Sequence, residues 1–271
     1  MEVTVHQKAI KVGVLISFLL MIAVNALANI LPLNGLTTGD AANRYPNLFT
    51  PAPITFAIWG VIYLALTFYV VFQLLPGKAQ TDRARQTVLE KIGKLFIFSS
   101  IMNAAWIFTW HYQLIPLSMV VMVLILVSLM RIGWLLREPH CSPAEEVALR
   151  IPFGLYFGWI TVATIANAAV LLVSLGWDGF GIAQPVWMAI IVAVGAVIAA
   201  VTMYTVRSVA YGLATLWAFA GILNRHLSVQ WYAGQYTLVV VATSIALGVL
   251  LCMVGVTGVH MRKVATCGVH R

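Results

Sequence analysis

The stretch LFTPAPITFAIWGVIYLAL, residues 48–66, decides the fold. It contains no charged residue, and it opens an apolar run close to the roughly 20 residues that a helix needs to cross about 30 Å of hydrocarbon. Two prolines stand at its start, where a missing amide donor costs little because the first amides of a helix have no partner in the helix. Phe56, Trp59 and Tyr63 follow at spacings of three and four, which predicts a helix with one aromatic face.

The rest of the chain continues this pattern. Of its 271 residues, 62% are apolar and 9% are charged. Only helices and closed barrels satisfy every backbone group in lipid, and a barrel would show alternating segments of about 10 residues, which this sequence lacks. We therefore predict an all-α polytopic membrane protein. Its charges and its proline and glycine breaks place about eight transmembrane helices at residues 10–31, 54–75, 93–111, 115–136, 150–175, 185–206, 208–223 and 235–258.

The distribution of basic residues predicts the orientation. With eight helices and a cytoplasmic N-terminus, all of the 16 Lys and Arg residues except Arg44 and Arg225 lie on the cytoplasmic side. Such an excess is typical of cytoplasmic loops, so both termini are predicted to be cytoplasmic, in the cytoplasmic membrane of a bacterium. The net charge of +8 then reflects topology and lipid headgroups, which leaves no reason to expect a nucleic-acid partner. The seventh helix is short, so it is either a tilted span or partly re-entrant.

The N-terminal segment has two interpretations. Lys8 and Lys11 precede an apolar run, and residues 26–28 resemble a signal-peptidase site, but the run is long for a signal peptide and favours an uncleaved first helix. Cys141 and Cys267 fall on the cytoplasmic side and Cys252 lies in the eighth helix, so no disulfide framework is predicted.

The sequence offers little for catalysis. It contains no HExxH, GxSxG, CxxC or P-loop motif, and no ionisable residue lies far from a helix end. No catalytic residue and no metal site are predicted, and enzymatic activity is disfavoured. His111 and His226 fall at the same membrane boundary, where they are either haem ligands or polar residues at helix ends.

Aromatic and amide side chains are concentrated on three helices. The third and fifth helices repeat the spacing seen in the second, so each presents a stripe on one face. The alternative is an interfacial belt of Trp and Tyr, but Trp106 and Trp159 lie deeper than the residues of such a belt. Buried amides need partners within the protein, because lipid offers none. A pocket for a flat, apolar ligand is therefore predicted. Its residues are Trp59, Tyr63, Asn103, Trp106, Trp110, Tyr156, Trp159, Ala163 and Asn167.

The segment before the second helix, residues 32–53, is rich in Gly, Asn and Thr. It is the longest segment predicted outside the membrane on the non-cytoplasmic side. We expect it to fold over the bundle, with an apolar underside supplied by Tyr45, Leu48, Phe49 and Pro51. It is either a lid over the pocket or a packed Ω-loop.

At these residues the sequence resembles the tryptophan-rich sensory protein family, also called the translocator or TspO/MBR family. That family has Pro-Pro-x-Trp-x-Phe-x-x-x-Trp-x-x-Leu-Tyr in its second helix, Leu-Asn-x-x-Trp in its third and Pro-Tyr-x-x-Trp-x-x-Phe-Ala-x-x-Leu-Asn in its fifth. The counterparts here are Pro51, Phe56, Trp59 and Tyr63, then Asn103 and Trp106, and then Trp159, Ala163 and Asn167. Phe56 lies one residue closer to Trp59 than in the family, which predicts a rotation of about 100° between them on a helix.

The resemblance implies a TspO-like bundle of five helices at residues 1–175, followed by three further helices at residues 176–271. It also implies a pocket for porphyrins or sterols beneath the segment joining helices 1 and 2. Trp59, Asn103, Trp106, Trp159 and Ala163 would be expected to line it.

Four functions are compatible with these features. The leading one is a receptor or carrier of a planar hydrophobic molecule, most simply a porphyrin or other haem-type tetrapyrrole, which is a ligand and not a required cofactor. The others are a transporter of a hydrophobic or sterol-like metabolite, an enzyme that degrades a bound pigment in light, and a structural protein. The predicted partners are lipid and the ligand. A homodimer is also possible, because Gly154 and Gly158 allow close packing either of a neighbouring helix or of a second copy of the chain.

Overall fold

The computed structural model describes residues 5–31, 33–75, 83–137 and 142–268. Within these ranges the chain forms eight long helices and no strand, which confirms the all-α prediction. Their bounds are α1 Val5–Ile30, α2 Ile58–Leu74, α3 Arg83–His111, α4 Ile115–Leu135, α5 Ile151–Ser174, α6 Gln184–Val206, α7 Val209–Leu227 and α8 Thr237–Gly268. Lys78, Cys141 and Arg271 lie outside the described residues, as do the side chains of Arg262, Lys263 and Cys267.

Several helices extend beyond the predicted apolar segments. α1 and α3 begin five and ten residues earlier than predicted, and α8 ends ten residues later. Hydropathy marks the part of a helix that suits lipid, whereas the helix itself continues for as long as its backbone bonds do. Lys91 therefore lies within α3 and not in a loop before it.

Seven of the described helical segments are long and apolar enough to cross a membrane. α7 falls below that threshold because Asn224, Arg225 and His226 occupy its last turn. Its packing nevertheless takes it through the whole bundle. Its start lies against Gly154 at the beginning of α5, and its end donates a hydrogen bond to the carbonyl of Pro51 at the opposite end. The orientation of the termini remains a prediction.

The helices pack in two connected groups. α1, α3, α4 and α5 form a consecutive series, while α6, α7 and α8 form the second group, and α7 packs along α5 to join them. The Gly154–Gly158 motif makes this junction close, since a methyl group built on Gly158 would lie 2.4 Å from the carbonyl oxygen of Tyr211. The motif therefore seats a helix of the same chain.

α2 begins in a different conformation from the rest of the helix. Residues Pro53–Ala57 form a 3-10 turn with a proline in its first positions, and the α-helix starts at Ile58. A 3-10 turn has three residues per turn, so side chains three apart point the same way. This geometry offsets the missing residue between Phe56 and Trp59, and both rings approach Trp159.

The segment between α1 and α2 contains a short helix that the prediction did not include, Thr38–Asn43. Thr37 caps it, accepting a hydrogen bond from the amide of Asp40, while the Asp40 carboxylate accepts bonds from Thr37 in return. These bonds from the Thr37 side chain and backbone lower the pKa of Asp40. The Thr-x-x-Asp spacing is a helix-start signal that could have revealed the helix in the sequence.

Candidate functional site

An inner cavity of ≈ 60 Å³ lies between α2, α3, α4 and α5. Aromatic rings form most of its walls: Trp106 and Trp110 stack at 5.2 Å on α3, and Trp159 of α5 faces Phe56 at 5.8 Å. Residues of the segment between α1 and α2 cover one end of the cavity. We call residues 38–51 the roof. The complete lining is Thr38, Ala42, Thr50, Pro51, Phe56, Trp59, Trp106, Trp110, Met122, Trp159, Val162, Ala163, Ala166, Asn167 and Val170.

A larger groove of ≈ 460 Å³ adjoins this cavity between α1 and α2. Thr38, Phe56 and Trp59 line both spaces, so the two are separated only by these side chains. Ala26 and Pro53 on the rim of the groove are exposed, so the groove opens towards the side of the bundle. Its lining is Ile22, Asn25, Ala26, Thr37, Thr38, Gly39, Pro53, Phe56, Trp59 and Tyr63.

Trp59 is the centre of the aromatic cluster between the two spaces. Its ring stacks on Tyr63 at 5.4 Å and meets the edges of Tyr156 and Trp159 at 5.9 and 6.1 Å. Edge-to-face and offset-stacked rings are the favoured geometries of aromatic pairs. The cluster therefore forms a firm apolar wall that a flat ligand could contact from either side.

The deep amides have partners on neighbouring helices. Asn103 donates to the Tyr156 hydroxyl at 3.0 Å and accepts from Asn25 of α1 at 2.7 Å. Asn167 accepts from the Trp106 indole at 3.0 Å and donates to Ser118 of α4 at 3.1 Å.

Each of these polar groups is buried, and its partner satisfies it where lipid could not. Sequence reasoning missed Asn25 and Ser118 because neither belongs to an aromatic stripe.

Three polar atoms at the two spaces have no hydrogen-bond partner among the described residues. They are the Thr38 hydroxyl, the Tyr63 hydroxyl and the Trp159 indole N–H. A buried polar group without a partner costs roughly 1–3 kcal/mol. A ligand with acceptor atoms could recover this energy, so the three groups indicate where the polar part of a ligand would lie.

The structure brings most of the predicted pocket residues together. Trp59, Trp106, Trp110, Trp159, Ala163 and Asn167 line the inner cavity, and Tyr63 lines the groove. Asn103 and Tyr156 lie outside both linings and support the wall from behind. Sequence reasoning did not select Thr38, Ala42 and Thr50, because small polar and apolar residues in a loop carry no pattern that marks a pocket.

The four residues predicted for the underside of the lid divide among three places. Pro51 lines the inner cavity. Leu48 and Phe49 are buried, but they line a separate cleft of ≈ 210 Å³ near Trp177 and Trp187. Tyr45 is half-buried against the core. The roof therefore presents its small residues to the cavity and its large apolar residues away from it.

Each of the two candidate haem ligands binds a backbone carbonyl through one ring nitrogen, and the other ring nitrogen of each has no partner among the described residues. His111 binds the carbonyl of Ile107 through Nδ1 at 2.7 Å, and His226 binds the carbonyl of Leu48 through Nε2 at 2.9 Å. No cluster of three or more metal-binding side chains occurs in the part of the chain that the structure describes. Neither histidine lines the inner cavity or the groove, so the geometry of these two spaces favours binding by aromatic contact over binding by iron ligation.

A family model described as TSPO-like protein matches residues 11–256. The chain belongs to the TSPO-like family. This confirms the resemblance drawn from the three motifs. No curated protein and no solved structure matches the chain.

Membership shows an integral membrane protein with a ligand-binding or transport role. The region matched by the family model extends across residue 175, the predicted boundary between the five-helix bundle and the additional helices. The last three helices thus lie largely within the matched region. The division into two parts remains a prediction.

Proposed function

We propose that this TSPO-like protein binds a planar, largely apolar small molecule, a porphyrin or another tetrapyrrole, across the inner cavity and the groove beside it. The observation that carries the proposal is the aromatic wall of Phe56, Trp59 and Trp159 between the two spaces. Flat rings stack on such walls, and each aromatic contact adds roughly 0.5–1.5 kcal/mol beyond its buried area.

Size decides how such a ligand would lie. Sites for small molecules generally occupy about 300–1,000 Å³. The inner cavity, at ≈ 60 Å³, is too small by itself, whereas the groove, at ≈ 460 Å³, falls within this range. The ligand would therefore occupy the groove and reach the inner cavity past Phe56 and Thr38, which line both.

The unpartnered polar atoms define the chemistry of the ligand further. The Trp159 indole can only donate, and the Thr38 and Tyr63 hydroxyls can also donate. A ligand that carries acceptors, such as carboxylates or ring carbonyls, would satisfy all three. A purely hydrocarbon ligand would leave them unpaired.

The proposed role is that of a receptor or carrier, with the tetrapyrrole as ligand and not as cofactor. Transport is the second candidate, and the sideways opening of the groove at Ala26 and Pro53 favours it. Ligand that moves in and out through this opening could exchange with the bilayer. Flux of a porphyrin across liposomes containing the protein, compared with empty liposomes, would separate a transporter from a receptor.

Titration of the purified, detergent-solubilised protein with protoporphyrin IX tests the proposal. Quenching of the nine tryptophans should saturate near one ligand per chain. A linear decrease without saturation would contradict it. Competition with a sterol distinguishes the alternative ligand class, since a sterol that displaces the porphyrin completely at lower concentration would make sterols the preferred ligand.

A further inference from the structure

One face of α7 is bound to the roof and to the start of α2. The Trp217 indole donates to the carbonyl of Thr55 at 2.8 Å, and the carbonyl of Gly221 accepts from the amide of Ala52 at 3.0 Å. Residues 217, 221 and 225 are spaced by four, so they share this face. We call the face formed by Trp217, Gly221, Arg225 and His226 the seam.

The approach at Gly221 is especially close. A methyl group built there would lie 2.0 Å from the hydroxyl oxygen of Thr55. Only glycine permits the backbone of α7 to lie this near to the 3-10 turn that carries Phe56. The seam thus reaches the segment that forms one wall of both ligand spaces.

Arg225 makes two hydrogen bonds from the seam to the roof. Its side chain is buried, and it donates to the carbonyl of Pro51 at 3.3 Å and to the Asn43 side chain at 3.1 Å. Its guanidinium lies 4.2 Å from the centre of the Trp231 ring. The ion pairs found among the described residues are Arg85 with Glu145 and Arg150 with Glu146, and neither involves Arg225.

The roof thus supplies hydrogen-bond acceptors to the buried charge of Arg225. A buried cation is tolerated only when hydrogen bonds replace water, and Asn43 and Pro51 of the roof accept two of the bonds that Arg225 donates, beside its contact with Tyr232. Displacement of the roof would remove these two bonds from a buried charge. Arg225 therefore favours the closed position of the roof.

His226 adds a third point of attachment. Its Nε2–H donates to the carbonyl of Leu48 at 2.9 Å, and its ring stacks on Tyr232 at 4.8 Å. The roof is thus bound through residues 43, 48 and 51. On its other side, the Trp110 indole of α3 donates to the carbonyl of Thr38 at 3.1 Å.

We infer that α7 supports the roof of the ligand site, with Arg225 and His226 as positioning residues. The inference rests on the proposed function for its ligand, and it assigns a role to the part of the chain that follows α5. α7 is held against α5 at Gly154 and Gly158 and holds the roof at its other end. Loosening the seam should let the roof open and the ligand leave.

The first arm of the test measures the roof itself, without ligand. Thr50 lines the inner cavity and is buried, so a cysteine at this position reports on opening of the roof. In a background with Cys141, Cys252 and Cys267 replaced by serine, Thr50→Cys should react slowly with a maleimide. Adding Arg225→Met should raise the labelling rate about tenfold, as expected when hydrogen bonds to a buried charge are lost.

Arg150→Met is the matched control. Arg150 is also buried and donates to a backbone carbonyl of another segment, that of Arg207 at 2.7 Å, but at the opposite end of the bundle. It should leave the labelling of Thr50→Cys unchanged. Trp217→Phe removes only one seam bond from a half-exposed ring, and it serves if Arg225→Met fails to fold.

The second arm measures the dissociation rate of protoporphyrin IX. Arg225→Met should raise it about tenfold and Arg150→Met should not, because binding changes within one site act mostly on dissociation. Faster labelling together with faster dissociation supports the inference. Unchanged labelling overturns it, and faster labelling with unchanged dissociation also overturns it, because the roof would then not retain the ligand. Failure of the unmodified protein to bind porphyrin would reject the proposed ligand, and labelling alone would then decide whether the seam holds the roof.

Discussion

Gly158→Val should destabilise the protein by about 3 kcal/mol or more, at the upper end of what overpacking costs. The added side chain would meet the backbone carbonyl of Tyr211 at 2.4 Å and the Ala214 side chain at 2.9 Å. A backbone carbonyl in a helix cannot rotate away, so α7 itself must shift. Because α7 holds the roof, porphyrin binding should be lost as well. Thermal unfolding in detergent and the porphyrin titration check the two effects.

Gly248→Val is the matched control for this prediction. Gly248 lies in α8, and a methyl group there would meet no atom within 4 Å. The same chemical change should leave both stability and binding nearly unaltered. Equal effects of the two substitutions would mean that the α5–α7 junction has no special importance.

Trp159→Ala should weaken protoporphyrin binding by about 10- to 100-fold, since it removes a ring from the wall and one donor from the site. Trp159 is almost fully buried and contacts both Phe56 and Trp59. The cavity left behind should also cost about 3–5 kcal/mol of stability. Dissociation constants measured by porphyrin absorption, well below the unfolding temperature, separate binding from stability.

Substitution by phenylalanine separates the roles of the ring and the indole N–H. The N–H of Trp159 has no partner, so Trp159→Phe should lower the stability of the ligand-free protein only through the packing lost with the smaller ring, while it weakens binding. Trp106 donates to Asn167, so Trp106→Phe should lower stability by about 1–2 kcal/mol beyond the same packing loss. Unchanged porphyrin affinity in Trp159→Phe would show that this N–H does not contact the ligand.

The helices could be read from the sequence because lipid imposes a simple rule on them. Any segment that crosses the membrane must be apolar and helical, so hydropathy located all eight long helices. α7 was the doubtful one, and its polar last turn explains why. Arg225 and His226 do not end a membrane span in water but bind the roof. Nothing in their spacing revealed these partners, which lie more than 170 residues away in the chain.

The candidate site was predicted to a similar extent. Spacing along a single helix identified the aromatic stripes, because side chains three and four residues apart share a face. The roof residues Thr38 and Thr50 could not be found in this way, since their positions depend on a fold of the loop that α3 and α7 fix from outside. Spacing also could not show which stripe residues line the cavity and which lie behind its wall. Asn103 and Tyr156 share the stripes but lie outside both linings.

The most direct measurement of the central claim is the protoporphyrin IX affinity of a variant in which the inner cavity is filled. Ala163 lines that cavity, and Ala163→Leu would place three further carbon atoms in it. Ala193→Leu makes the same change on the exposed face of α6 and is the control. The structure predicts saturable binding to the unmodified protein and to Ala193→Leu, and affinity at least about tenfold weaker, equivalent to about 1.4 kcal/mol, for Ala163→Leu. Equal affinity in all three proteins, or no saturation in any of them, would contradict a porphyrin site between α2 and α5.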